Sequence, residues 1–427
     1  MKYLSSIIFL LVFSISIQAQ DNWSTLSNNS FHRLSDTVDY KLRIALANVL
    51  LDVSSSYNIK KVTDDLDTTR LVNWSKLIGE TKEKNGIFGQ LAVNVFSTEY
   101  RWKNWTFSAG FGARSEVYVD VDGPAVKFVI GGNAGNLDAT TSINPNLNYT
   151  SWYQFHVGAQ KHFERLDAGF SLKLVDGVEH LYLRGGYDIS TSDIFDEIRI
   201  NREVLIQSTS LFRYKNIEDV DFLTTAPFRD GIGFDNVGLL VDLFATYRLG
   251  KNEFNIFVGD IGSINWSQNG RTYEYEGLGE TTYTGIDLSE AFGNEFIFDL
   301  QDTVENILGL ELTDTESYSS RPLTKLQLRY TYNHDEKTTF GAQSLFALSG
   351  EYNYFRINLF INHQLLKWLD ASVIYSFDRY SEANLGLSAR IKLKRFNLGL
   401  SSQNALALFD PYGYHLNNVQ VTTQFKF

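Results

Sequence analysis

The last ten residues, Asn418 to Phe427, read N-V-Q-V-T-T-Q-F-K-F. Val419, Val421, Thr423, Phe425 and Phe427 share one parity; Asn418, Gln420, Thr422, Gln424 and Lys426 share the other. Side chains of an extended chain alternate between faces, so this stretch has one apolar or neutral face and one polar face. Lipid outside and water inside a barrel wall produce that pattern. The run stops on an aromatic residue, with no polar tail to blunt it as a sheet edge, and is safe only when paired. In a closed barrel its partner is the first strand. A terminal strand of a soluble sandwich alternates in the same way, and this stretch alone does not separate the two.

The opposite end bears on the compartment. Met1 and Lys2 precede an apolar run from Ile7 to Ile17, and Ile17-Gln18-Ala19 offers a cleavage site. The expectation is a secretory signal peptide over residues 1–19, too short to anchor in a bilayer. Residues 20–39, rich in Ser, Asn and Asp, read as a lead-in segment, and 40–427 as one barrel with no Pro- or Ser-rich linker to divide it. The chain has no cysteine, so neither a disulfide framework nor a thiolate metal site is available. A net charge of −12 with no basic face disfavours nucleic acid. No later apolar stretch is long enough for a spanning helix, so a membrane location requires a closed barrel.

Alternation recurs along the chain. Tyr40 to Tyr57 is the first strand candidate, and the polar stretch Asn58 to Asn85 reads as a loop. Phe88 to Tyr100 and Trp105 to Tyr118 form a hairpin whose turn is bracketed by Trp102 and Trp105. Together with Trp368 at a later turn, these are placed as interfacial girdle residues would be. Pro124 to Ile130 reads as a short helix closed by Gly131-Gly132. Leu166, Ala168, Phe170, Leu172 and Leu174 alternate with Asp167, Gly169, Ser171 and Lys173, and Asp176-Gly177 is a hairpin signal. Leu181 to Ile189 and Ile198 to Phe212 are further strand candidates.

The period then changes. Asp287 to Glu290 fits a capping box, and Leu288, Phe292, Phe296, Leu300 and Val304 recur at helical spacing. The expectation is a loop helix over or in the barrel mouth, forming a plug or vestibule. In the last third, Leu385, Leu387, Ala389, Ile391 and Leu393 oppose Gly386, Ser388, Arg390 and Lys392. Two cations against lipid are costly, so their parity must face the lumen. Tight turns alternating with long loops sum to about 16 antiparallel strands, or about 14 if the 181–212 pair is a protruding hairpin. The expected fold is all-β: a transmembrane outer-membrane barrel with two short helices in outer loops.

No catalytic constellation emerges. His156 and His162 lie on one strand face roughly 20 Å apart, too far to share an ion. Asp64, Asp65 and Asp67 lack the glycine turn and terminal Glu of a calcium loop. Gly131-Gly132 and Gly185-Gly186 match no phosphate-binding pattern. No enzyme, cofactor or metal is expected.

A strand ending in Phe, here with Val419, Val421, Phe425 and Phe427, resembles the carboxy-terminal assembly signal of bacterial outer-membrane proteins. The segment A-N-L-G-L-S-A-R-I-K-L-K-R-F-N-L-G-L-S-S-Q-N-A-L-A-L-F-D-P (Ala383 to Pro411) and Pro124 to Asn133 followed by Gly135-Asn136 resemble a family of Bacteroidota outer-membrane barrels known as a domain of unknown function. Those are similar in architecture to long-chain fatty-acid transporter and PorV-type barrels. Their frequent Asn-Pro-Ala segment is absent; the corresponding residues are Asn28-Asn29-Ser30-Phe31-His32. The resemblance implies a Gram-negative outer membrane location, with lipid and the barrel-assembly machinery as partners. Two functions are carried forward. One is a transport or channel barrel for a small solute, the aromatic loops favouring a hydrophobic one. The other is a scaffold or partner barrel for a secreted or surface protein, as in type IX secretion.

Overall fold

The computed structural model describes residues 41–427 apart from 67–68, 125, 128–139, 192–197, 210–211, 215–219, 223–232, 268–270, 275–280, 284–310, 315–316, 351 and 411–412. Fourteen antiparallel strands close into a barrel. They are β1 Leu42–Ser55, β2 Lys84–Trp102, β3 Trp105–Asp122, β4 Asn146–His162, β5 Leu166–Thr191, β6 Val237–Leu249 and β7 Asn252–Trp266. The second half comprises β8 Thr324–Asn333, β9 Thr338–Leu348, β10 Asn353–Leu366, β11 Leu369–Asp378, β12 Asn384–Lys392, β13 Phe396–Ser402 and β14 Leu416–Lys426. Closure is made by β14 on β1, in a register that sets Val419 opposite Leu51, Val421 opposite Val49 and Phe425 opposite Ile44. The Phe427 carbonyl accepts from the Lys41 and Leu42 amides, and the Phe427 amide donates to Leu42. The last strand is thus paired with β1 on one side and with β13 on the other, as a membrane requires.

The barrel has fourteen strands rather than sixteen because the 181–212 pair leaves the wall. The chain does not turn at Asp176-Gly177. It runs straight through them as a single 26-residue strand, β5. Only Leu166–Asp176 pairs with β6. Beyond that point the partner is Ile198–Ser208, from Leu181 opposite Ser208 to Thr191 opposite Ile198. Asp176 spends its carboxylate on the Gly233 and Phe234 amides instead of on a turn. Gly177 is needed for space: a Cβ there would lie 2.5 Å from the Trp266 ring. Short strands at Thr140–Ile143, Arg271–Glu274 and Thr281–Tyr283 widen this projecting sheet.

The tight turns, the start of β1 and the end of β14 lie at one end of the barrel; longer connections lie at the other, the loop end. The first long connection is not plain loop. It carries helices α1 Ile59–Val62 and α2 Trp74–Glu80, started by Asn58 and Asn73 side chains that accept from the Lys61 and Lys76 amides. Between them lies a small ladder, Thr63–Leu66 on Thr69–Val72. Of the helix expected at Pro124 to Ile130, Pro124, Val126 and Lys127 are helical, and the rest lies outside the described residues. The 287–308 helix, with Leu288, Phe292, Phe296, Leu300 and Val304, lies wholly outside them. Among the described residues no helix is long and apolar enough to cross a membrane.

Alternation sorts the wall as hydrocarbon and water would. Leu239, Leu243, Leu359, Ile361, Val373, Leu385 and Leu387 point outward and are exposed. Their strand neighbours Asp242, Asn358, Ser372 and Asn384 point inward and are buried. Arg390 and Lys392 face the lumen, where both reach Asp370. A groove of about 500 Å³ is lined by the outward, exposed side chains Tyr247, Phe254, Leu328 and Tyr330, with Asn255, Arg329 and Gln343 of the same strands behind them.

Candidate functional site

A wall of fourteen strands encloses more width than two opposed side chains fill. Here the opposite walls meet. Near the loop end, Arg356 of β10 donates from Nη1 to Asp52 of β1 at 2.9 and 2.8 Å and to Gln403 Oε1 at 2.9 Å. β1 and β10 are not neighbours in the sheet order. Asp378 of β11 stands 3.6 Å from Arg356 Nε and accepts from the Ser54 hydroxyl of β1. Arg356 also donates to the Tyr354 hydroxyl. The side chains of Arg356, Asp52 and Asp378 are 0% exposed.

A second bridge joins β3, β5, β6, β7 and β8. Asp260 of β7 accepts from Arg114 at 2.6 Å, Lys173 at 2.6 Å and Lys325 at 2.9 Å. Lys173 also meets Asp242 at 2.7 Å, and Lys325 also donates to Glu116. Five strand intervals separate β3 from β8, so the Glu116–Lys325 contact spans the lumen. Asp260 adopts a positive φ of 60°, a backbone state that non-glycine residues visit rarely. Its amide donates to Asp242, which fixes the strained residue within the cluster.

Between the bridges sits an aromatic stack. Phe88 of β2 lies on Tyr354 with ring centroids 4.1 Å apart, and Tyr118 of β3 lies on Tyr352 at 4.3 Å. Tyr352 and Tyr380 share a hydroxyl contact of 3.0 Å. Arg379 caps the stack, 5.1 Å from the Tyr352 ring, while pairing with Asp120 at 2.9 Å. Burial pushes the Tyr380 phenol up to about 12 and the Tyr352 phenol higher still, so both are neutral donors at ordinary pH. Ions, rings and hydroxyls thus form one belt across the loop half of the lumen.

Such a belt is a poor way to gain stability. Desolvating paired charges consumes most of what their attraction returns, and apolar residues of the same volume do as well or better. What a charged belt adds is definite positioning of two walls, in contacts that water can replace if the walls part.

The residues singled out in the sequence do not come together here. Val419, Val421 and Phe425 lie in β14 and Phe427 just beyond it, at the closure seam. Trp102 and Trp105 are register partners beside the β2–β3 turn, with Lys103 and Lys161 ammonium groups 5.0 and 5.3 Å from their respective rings. Trp368 occupies the β10–β11 turn at the same end of the barrel. His162 pairs with Asp167 at that end too, whereas His156 is buried in the wall. The belt residues were missed as a group. Each isolated cation on an inward parity, Arg356, Lys325 or Arg114, gives the signal that placed Arg390 in the lumen, but no spacing names its partner.

Residues 36–402 match the family described as a family of unknown function, DUF5723. No curated protein matches. Among solved structures the chain is similar to the Pseudomonas putida toluene transporter TodX, with 10% identity over 95% of this chain and 93% of that chain and a TM-score of 0.40. A TodX monoaromatic hydrocarbon channel deltaS2S3 mutant gives 10% identity, 91% of both chains and 0.42. A Pseudomonas aeruginosa FadL homologue gives 7% identity, 91% of both chains and 0.35.

Proposed function

The chain belongs to the DUF5723 family, and we propose that it is a gated transport barrel of a Gram-negative outer membrane, passing a small solute with apolar surface. The observation that carries this reading is the belt: a closed, lumen-bearing barrel obstructed by side chains from its own opposed walls. Buried charges contribute little net stability, and their contacts can be exchanged for water when the walls part, as a gate requires. Neutral aromatic faces within the belt suit an apolar solute better than an ion. In this reading the loop end faces outward, the turn end faces the periplasm, and Trp102, Trp105 and Trp368 serve as the periplasmic girdle. Cleavage after Ala19 delivers the chain, Val419, Val421, Phe425 and Phe427 engage the assembly machinery, and the 287–308 segment lies at the outer mouth.

Uptake of a radiolabelled small apolar solute by intact cells, with and without the protein, tests the reading. Faster uptake is expected, together with negligible steady ion conductance in planar bilayers. An ion conductance like that of an open porin, or unchanged uptake, would remove it. The projecting sheet on β5 favours a second reading, a platform for a secreted or surface protein. A stoichiometric protein that co-purifies and is lost when residues 178–208 are shortened would favour that alternative.

A further inference from the structure

We infer that the lumen holds a binding site for an organic carboxylate centred on Arg329. Arg329 lies on β8 between Asn255 of β7 and Gln343 of β9, on the inward parity and 7% exposed. It is four residues past Lys325, hence on the turn-end side of the belt. Among the described residues it forms no ion pair, the carboxylate that attracts it being Glu253 of β7, and its Nε and Nη2 are both buried without a hydrogen-bond partner, where Arg114 and Arg356 leave only Nε so. Two residues earlier on the same face, Gln327 Nε2 is also buried and unpartnered. A guanidinium forgoing its hydration in this way is costly unless something else completes it.

What surrounds it defines the missing partner. The guanidinium carbon sits 5.2 Å from the centroid of the Phe360 ring, which packs on Ile374. Phe360 lies over Gly341 of the neighbouring strand, where a Cβ would come within 2.3 Å of the ring. On the other side of β8, Phe244 and Phe257 form a second buried lumenal pair. Two planar-fork donors and an amide donor suit a carboxylate, which takes parallel N–H bonds. The flanking rings suit an apolar body rather than a hydrated inorganic anion. The inference deepens the transport reading by naming a solute class, but the binding itself is measurable without transport.

The test uses the full-length protein in detergent, with sodium benzoate as probe and benzamide, sodium acetate and sodium chloride as controls at matched ionic strength. Benzoate should raise the thermal unfolding midpoint saturably; benzamide and chloride should not, and acetate should bind more weakly. Arg329→Gln should unfold at or above the wild-type midpoint without ligand, since it removes a buried cation whose Nε and Nη2 have no hydrogen-bond partner and whose attraction to Glu253 acts without an ion pair. It should also lose benzoate affinity by at least about tenfold, the worth of a charged hydrogen bond. Phe360→Leu should weaken benzoate more than acetate. An equal shift with benzamide, or a benzoate shift retained in Arg329→Gln, overturns the site. So does an Arg329→Gln midpoint well below wild type, which would make the guanidinium structural, or equal chloride binding, which would mean an adventitious ion only. Uptake without benzoate binding sinks this site alone; benzoate binding without uptake sinks the transport reading alone.

Discussion

Replacing Arg356 by Met tests the belt most directly. The side chain is 0% exposed and holds Asp52, Gln403 and Tyr354, with Asp378 behind it. Met keeps most of the volume but leaves two dry carboxylates facing each other. Removing one partner of a buried pair costs about 3–5 kcal/mol. Asp52→Asn should cost less, about 1–3 kcal/mol, because Arg356 keeps its other partners. Asp378 is separately satisfied by the Tyr380 and Ser381 amides at 2.8 and 2.9 Å. The double variant, Asp52→Asn with Arg356→Met, should recover at least about 2 kcal/mol relative to the sum of the singles. Reversible urea unfolding in lipid vesicles, followed by tryptophan fluorescence, measures all three. Ion conductance in planar bilayers should rise in Arg356→Met and stay low in Asp52→Asn. A cost for Arg356→Met within about 1 kcal/mol of zero, or strict additivity in the cycle, would refute the idea that these groups tie the walls together.

Further outcomes follow from single positions. Leu387→Arg, on the outward parity at 51% exposure, should cost about 2–4 kcal/mol in vesicles if it lies near the bilayer midplane, and distinctly less in detergent; equal costs would deny the lipid-facing assignment. Gly341→Val places a Cβ against Phe360 and the Tyr330 carbonyl and should cost about 1–3 kcal/mol by overpacking, with Phe360→Leu in the same chain relieving the part due to the ring; unfolding midpoints decide. Tyr380 has its phenol raised by burial to about 12, so its neutral form adds stability below the unfolded value of about 10 and that stability fades as pH climbs towards 12. Alkaline unfolding should therefore be shallower in Tyr380→Phe, and an identical pH slope in both proteins would contradict the assignment. Deleting Phe425 to Phe427 should lower the yield of heat-modifiable barrel in cells more than it lowers refolding yield in detergent; equal losses would mean those residues act only through seam pairing.

Alternation carried most of the wall. From Leu385 to Leu393 the outward leucines and the inward Arg390 and Lys392 are legible because a period of two leaves only two choices of face. The strand count was harder. Leu181 to Ile189 alternates as a wall strand does, yet it stands clear of the wall, since a pattern of faces carries no information about depth in the membrane. Asp-Gly reads as a turn in isolation, but at 176–177 the carboxylate is drawn to the Gly233 and Phe234 amides and the glycine is claimed by Trp266. Those are contacts across 57 or more positions of sequence. The belt was least legible of all: Asp52 and Arg356 are 304 residues apart, and charge complementarity over that separation leaves no local trace.

The seam between β1 and β14 also sets a timetable. The residues of β1 are made long before those of β14, so until the two meet the sheet keeps two open edges, each a template for pairing with another chain. Closure is therefore the last step of folding, and variants that weaken this junction should aggregate from the unclosed sheet more than they destabilise the closed one.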